Sequence, residues 1–158
     1  MIPTRAGFFM KIFNKTGFSL IELMIVLAIM GILSAIAAPN FMHYMAERRL
    51  NGAARMVMSD LMNARMLAVT LNRNVQVTFP TSASASYTYD AADTAATRNV
   101  KTGFGYHDVT VSANGNGNMT FTPAGRLSGL PCTVTLRSSA LTQQKTLSVS
   151  SAGRVVIN

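Results

Sequence analysis

The chain has one cysteine, no tryptophan, two histidines and six acidic side chains among its 158 residues. The lone Cys132 cannot close an intramolecular disulfide, so no covalent staple supports the fold. It follows Pro131 in an alternating apolar run, where a thiol is expected to be buried and inert rather than reactive. His43 and His107 stand apart without a ligand-spaced partner, and no Ser or Cys nucleophile has a recognisable setting. Asp90, Asp93 and Asp108 lack the spacing of a calcium loop, and no glycine-rich phosphate cradle is present. These absences lead to a chain expected to be no enzyme and to need no metal or cofactor.

What is present begins with an apolar segment, Leu23 to Ala38, broken only by Ser34 and headed by Glu22. An ionised carboxylate beside so much hydrocarbon costs at least a few kcal/mol and needs a partner. A cut between Gly17 and Phe18 would create an α-ammonium one helical turn from Glu22, where the helix N-terminus also favours negative charge. Arg5, Lys11 and Lys15 flank the segment and predict an N-in, C-out orientation, with the C-terminal part on the far side of the membrane. Without these three, eleven basic residues face six acidic ones, a net of +5 against +8 for the whole chain. Roughly 100 residues then remain beyond the span, enough for one small domain.

Lys15-Thr16-Gly17-Phe18-Ser19-Leu20-Ile21-Glu22-Leu23 resembles the processing site of type IV pilins and type II secretion pseudopilins. The resemblance implies cleavage after Gly17 by a prepilin peptidase/N-methyltransferase and N-methylation of Phe18. It further implies that Glu22 pairs with the terminal amine of a neighbouring subunit as a hetero-oligomeric filament assembles. Pro39 falls where many such helices are kinked or locally melted, in keeping with its missing N–H. The implied location is the bacterial inner membrane, single-pass, with the C-terminal domain in the periplasm, and a filament after assembly. Residues 1–17 are then a leader, and a start at Met10 would shorten it to Met10–Gly17. A competing reading is an ordinary signal peptide, since Ala35-Ile36-Ala37 ahead of Pro39 fits a loose cleavage pattern. Glu22 and the helical pattern that resumes after Pro39 speak against it.

The expected fold class is α+β, pilin-like: a long N-terminal helix with an antiparallel sheet domain packed on its C-terminal half. The division follows as leader 1–17, hydrophobic helix 18–39, amphipathic helix 40–74 and β-rich domain 75–158. Residues 18–38 are apolar all round and just reach the length of a span. From Phe41 to Leu71 a stripe of Leu50, Ala54, Val57, Leu61, Ala64, Ala68 and Leu71 repeats at helical spacing, widened by Met58, Met62 and Val69. One helix from Phe18 to Leu71 would be roughly 80 Å long at about 1.5 Å per residue. The many stem methionines, Met24, Met30, Met42, Met45, Met56, Met58, Met62 and Met66, follow that helix rather than a chelate, so packing is favoured over soft-metal ligation.

Beyond Leu71, alternating runs predict strands at 75–79, 86–89, 109–112, 119–122, 132–137, 146–150 and 154–157. Asn114-Gly115-Asn116-Gly117 predicts a tight antiparallel connection between two of them. Thr81 to Asn99, rich in Ser, Ala, Thr and Asp, reads as a loop or weak hairpin. Two segments resemble each other, each ending a strand with Ala-Gly-Arg: Phe121 to Leu127 and Val149 to Val155. Their glycines, Gly125 and Gly153, are expected at positive φ. This layout is similar to the GspH/FimT branch of minor pilins and pseudopilins. The resemblance implies a minor subunit at or near the filament tip that helps initiate assembly of a pilus or a secretion pseudopilus, two machines the motif does not distinguish. The missing disulfide speaks against the adhesive major-pilin type. The rival reading within the branch is a DNA receptor for natural transformation, with Arg98, Lys101, Arg126 and Arg154 as candidate phosphate contacts and Tyr87, Tyr89 and Tyr106 as stacking rings. In the DNA-receptor pattern a second Arg soon follows Gly-Arg; here Gly153-Arg154 is followed by Val155, Val156 and Ile157.

Overall fold

The computed structural model describes residues 17–91 and 94–158, so the expected leader lies outside the described residues except for Gly17, as does Asp93. Helix α1 runs Leu20–Thr70 and contains Pro39 without a break in assignment. It ends because Asn72 adopts a left-handed φ of 49°. The Arg73 and Asn72 N–H groups then bond the carbonyls of Ala68 and Val69, closing the last turn before the first strand.

The chain divides into two compact units at Ala38/Pro39. In the first, every described residue is exposed, and an 18-residue window reaches a mean hydropathy of 2.6 with none of it buried. This helix is long and apolar enough to cross a membrane by length and composition.

In the second unit α1 buries one stripe: Ala46, Leu50, Ala53, Ala54, Val57, Asp60, Leu61, Ala64 and Ala68. Small residues on every turn allow close approach to the sheets, while Leu50 and Leu61 contribute about 1.5–3 kcal/mol each by burial. The stripe differs from the expected one at its edges. Met62, Val69 and Leu71 are exposed, and Ala53 and Asp60 are buried in their place. Of the methionines, Met56 and Met58 pack against the core, whereas Met24, Met30, Met42, Met45, Met62 and Met66 are exposed.

Two antiparallel sheets complete the core. The first contains β1 (Val75–Thr78), β2 (Ser86–Ala91), β3 (Thr94–Asn99), β5 (Asn118–Phe121) and β6 (Leu127–Ser128), in the order β3-β2-β1-β5-β6. The second contains β4 (Val109–Ala113), β7 (Cys132–Ser138), β8 (Gln144–Val149) and β9 (Val155–Ile157), in the order β4-β7-β8-β9. Short helix α2 (Val100–Phe104) follows β3, its first turn capped by the Asn99 side chain, which accepts from the Lys101 and Thr102 N–H groups. Phe79, Met119 and Phe121 fill the centre of the core with Val77, Val134 and Leu147.

One expectation is decided and one corrected. Of the two readings of Thr81 to Asn99, the hairpin holds over its later part, where β2 and β3 pair from Ser86↔Asn99 to Ala91↔Thr94. The Asn114–Gly117 turn does not join partners, because β4 pairs with β7 and β5 with β1 and β6. The turn instead carries the chain between sheets. The Asn114 side-chain carbonyl accepts from the Thr133 N–H at 2.8 Å in one sheet, while the Gly117 carbonyl accepts from the Phe79 N–H at 2.9 Å beside the other.

Candidate functional site

At the N-terminus, the first backbone bond of α1 runs from the Leu23 N–H to the Ser19 carbonyl at 3.2 Å, which makes Ser19 the N-cap and Glu22 the third helical residue. Ser19 and Glu22 thus have the spacing of a capping box, at the end of the helix where the dipole favours a carboxylate. Gly17 and Phe18 precede the helix in irregular backbone, and Phe18 is 78% exposed. A peptidase needs a bond that is accessible and outside a helix, and the Gly17–Phe18 bond is both. Phe18 and Glu22 are four residues apart, the spacing that would bring an amine and the carboxylate to one side of a turn if the helix extended back to Phe18.

The four candidate phosphate contacts fall into two groups. Arg126 and Arg154 are brought together. Their turns share one hydrogen-bond pattern: Gly125 and Gly153 donate to the Thr122 and Ser150 carbonyls at 2.8 Å, and Thr122 and Ser150 donate to the Arg126 and Arg154 carbonyls at 2.9 Å. Gly125 and Gly153 have φ of 70° and 75°, as the repeated Ala-Gly-Arg implied. The turns lie against each other. The Leu127 N–H donates to the Ser151 carbonyl at 3.1 Å, and a side chain on Gly153 would overlap the Gly125 carbonyl oxygen. Arg65 of α1 pins the pair by donating from Nε to that same carbonyl at 2.8 Å. Arg126 and Arg154 are exposed and meet no carboxylate among the described residues.

Arg98 belongs elsewhere. Its guanidinium lies 5.9 Å from the Tyr89 ring centroid, and its Nε is 3.5 Å from Asp60 Oδ2, at ion-pair distance but without hydrogen-bond geometry. Lys101 is exposed on α2. Tyr87 and Tyr89 are only 2% and 4% exposed, so neither ring offers a face to a base. The Tyr106 ring packs over Gly52 of α1.

Three arginine–aspartate pairs went unread in the sequence. Arg49 meets Asp108 at 2.6 Å, Arg73 meets Asp90 at 3.2 Å, and Arg98 meets Asp60. Asp60 also accepts from the Tyr87 hydroxyl at 2.5 Å. Burial, reinforced by that bond, pushes the Tyr87 phenol well above its ordinary range. Burial pulls the Asp108 carboxyl upward, but hydrogen bonds from Arg49 and Ser138 outweigh it and hold the group below its usual value. Burial also raises the Cys132 thiol, consistent with an inert group. Among the described residues no three His, Cys, Asp or Glu side chains gather as a metal site.

Comparison with known proteins places these features. Residues 53–153 match the family model of the type II transport protein GspH, and residues 12–38 match the prokaryotic N-terminal methylation motif. The chain belongs to the GspH family. This pilin-like protein is 54% identical over 39 residues to the fimbrial protein EcpB of Eikenella corrodens, a match covering 25% of this chain and 24% of that one. It is 60% identical over 40 residues to the type IV major pilin PilA of Myxococcus xanthus, covering 25% and 18%. It spans about a quarter or less of the length of these curated relatives. In fold it is similar to the type IV minor pilin FimU of Pseudomonas aeruginosa, with a TM-score of 0.57, 20% identity and coverage of 73% and 92% of the two chains. It is also similar to the minor pseudopilin EpsH of the Vibrio cholerae type 2 secretion system, with a TM-score of 0.53, 8% identity and coverage of 70% and 96%. The α+β pilin fold expected from the sequence is thus the fold found.

Proposed function

We propose that this pilin-like protein is a minor subunit of a type IV pilus or type II secretion pseudopilus, placed at or near the tip, where it helps initiate assembly. It is made as a precursor with a leader over residues 1–17, held in the inner membrane by α1 with its sheet domain in the periplasm, cleaved after Gly17 and methylated at Phe18. Glu22 then docks on the terminal amine of a neighbouring subunit. The observation that carries this reading is the methylation motif over residues 12–38 running into an exposed apolar helix whose first turn contains a single carboxylate. Bundling such helices exchanges lipid contacts for close packing, with little net hydrophobic gain. The pairing of Glu22 with an amine therefore supplies specificity, since either charge alone in that setting is costly. Pro39 has no N–H for the Ala35 carbonyl, which makes it the place where α1 bends or loosens as subunits pack.

The test is incorporation. Glu22→Ala and Glu22→Lys are expected to be cleaved normally and to be absent from purified filaments; incorporation at wild-type level would overturn the pairing. Gly17 replaced by a bulky residue is expected to keep its leader by mass, and a mature-length product would defeat the cleavage assignment.

A second reading, DNA binding during transformation, is favoured by one observation: Arg126 and Arg154 project from touching turns beside Arg65, with no carboxylate on them among the described residues. Against it stand the engagement of Arg98, the burial of Tyr87 and Tyr89 and the Val155 that follows Arg154.

A further inference from the structure

We infer that the groove at the foot of the sheet domain is a phospholipid-headgroup site that rests the membrane-stored subunit on the bilayer surface. The inference builds on the membrane reading above. Its starting point is length. After Glu22 the next charged residue is Glu47, so Leu23 to Ala46 is free of formal charge. At about 1.5 Å per residue that stretch is roughly 36 Å long, about 6 Å more than a hydrocarbon core of about 30 Å. With Glu22 at one boundary, Phe41 to Met45 reach the opposite boundary and its headgroup layer.

The side chains there suit that depth. Phe41, Met42 and Tyr44 are 63%, 72% and 54% exposed and point to different sides of the helix, as on a segment surrounded by an apolar medium. The Arg48 guanidinium lies over the Tyr44 ring at 5.6 Å, an aromatic and a cation paired at the level where membrane proteins place such anchors. Here the domain loops overhang the stem and enclose a groove of about 610 Å³. Phe41, Met42 and Met45 line it with apolar surface, and His43, Arg49 and His107 bring N–H donors to it. Apolar walls with donors match a glycerol backbone and phosphate better than free inorganic phosphate, which would leave the apolar surface in water. Arg49, the one Lys or Arg in the lining, is held by Asp108 in an ion pair, so the groove carries little net charge. Its occupant is therefore an ordinary phospholipid of the leaflet rather than one selected for negative charge.

The experiment uses the full chain in nanodiscs of phosphatidylethanolamine and phosphatidylglycerol, in a Cys132→Ser background. Single cysteines carrying an environment-sensitive fluorophore replace Ile29, Met45 or Leu130, the last 88% exposed on the turn after β6. Nitroxide on the lipid headgroup is expected to quench Met45→Cys at least about threefold more than Leu130→Cys, and His107→Glu, a change at an exposed position, is expected to cut that quenching by half or more. Equal quenching of Met45→Cys and Leu130→Cys, or no response to His107→Glu, would overturn the headgroup site. If Ile29→Cys is reached by a water-soluble quencher, the membrane reading fails first and the inference falls with it.

Discussion

The buried Asp60 allows the tie between stem and sheet to be weighed. Its carboxylate, on a residue 7% exposed, accepts from the Tyr87 hydroxyl at 2.5 Å and faces Arg98 Nε at 3.5 Å. A hydrogen bond to a charged acceptor contributes about 1.5–3 kcal/mol, and its loss would strand the Tyr87 hydroxyl in the core. The Arg98 side chain is 41% exposed, so water offsets much of the loss of its partner, and that part is discounted to below about 1 kcal/mol. Asp60→Ala is therefore expected to cost about 3 kcal/mol. Tyr87→Phe keeps the ring stacked on Phe79 at 4.8 Å and leaves Asp60 its arginine, so it should cost about 1–2 kcal/mol. The double variant should cost less than the sum by about 1–2 kcal/mol, because removing the hydroxyl also removes the stranded donor. Urea unfolding of a fragment beginning at Met42, followed by circular dichroism, measures all three. Additive costs, or an Asp60→Ala cost below about 1 kcal/mol, would refute the claim that this bond ties β2 to the helix.

Three further outcomes are expected. Gly153→Ala should destabilise by more than about 2 kcal/mol, since left-handed backbone costs a β-carbon residue about 1–2 kcal/mol and the new methyl group meets the Gly125 carbonyl; Gly153→Asn, which tolerates that φ, should still be destabilised in the same assay. Asp108 has its carboxyl below the ordinary 3.8, so its contribution is complete above that value and lost as pH falls through the folded pKa. The wild-type unfolding midpoint should therefore hold from pH 7 to about 5 and fall below about pH 4, with a shallower fall in Asp108→Asn. For the DNA reading, duplex affinity of the same fragment should weaken with salt and drop at least tenfold in Arg126→Ala/Arg154→Ala, lowering the log–log salt slope by about 2; no binding at low salt would remove that reading.

The parts of this molecule legible in the sequence are those that need only one dimension. The apolar run to Ala38 could be read because it needs no partner elsewhere in the chain: an unbroken series of apolar residues gives the same exposed helix whatever the rest of the fold does. The stem stripe could be read at its centre, from Leu50 to Ala68, because the helical period repeats there. Its edges could not, because the choice between Met62 and Asp60 depends on what lies across from each. An acid three residues after Val57 and four before Ala64 was itself the missed signal, since a carboxylate on a buried stripe requires a partner. The β2–β3 hairpin could be read only as one of two alternatives, because Ala, Thr and Ser pair through backbone while offering little apolar alternation. Asn114 to Gly117 announces a reversal of direction and says nothing about which strand lies alongside. Likewise the repeated Ala-Gly-Arg gave two turns by local chemistry, but only the fold puts Gly153 against Gly125 and both beside Arg65.

These placements bear on how a stored subunit would leave the membrane. Moving Leu20 to Ala38 from lipid into a bundle of like helices changes its hydrophobic burial little, since the surroundings are apolar before and after. The balance is then decided at the two ends of the apolar stretch. At one end, the proposed assembly would give Glu22 an amine that lipid cannot supply, and a charge pair shielded from water would strengthen as the bundle closes. At the other, the headgroup contacts proposed for the groove lined by Phe41 and His107 would have to break before the domain could rise. A subunit with weakened groove contacts should therefore be extracted more readily, whereas one lacking the Glu22 carboxylate should remain in the membrane however weak those contacts are. Combining His107→Glu with Glu22→Ala separates the two terms: filament entry restored in the double variant would show that the groove, and not the carboxylate, sets the barrier.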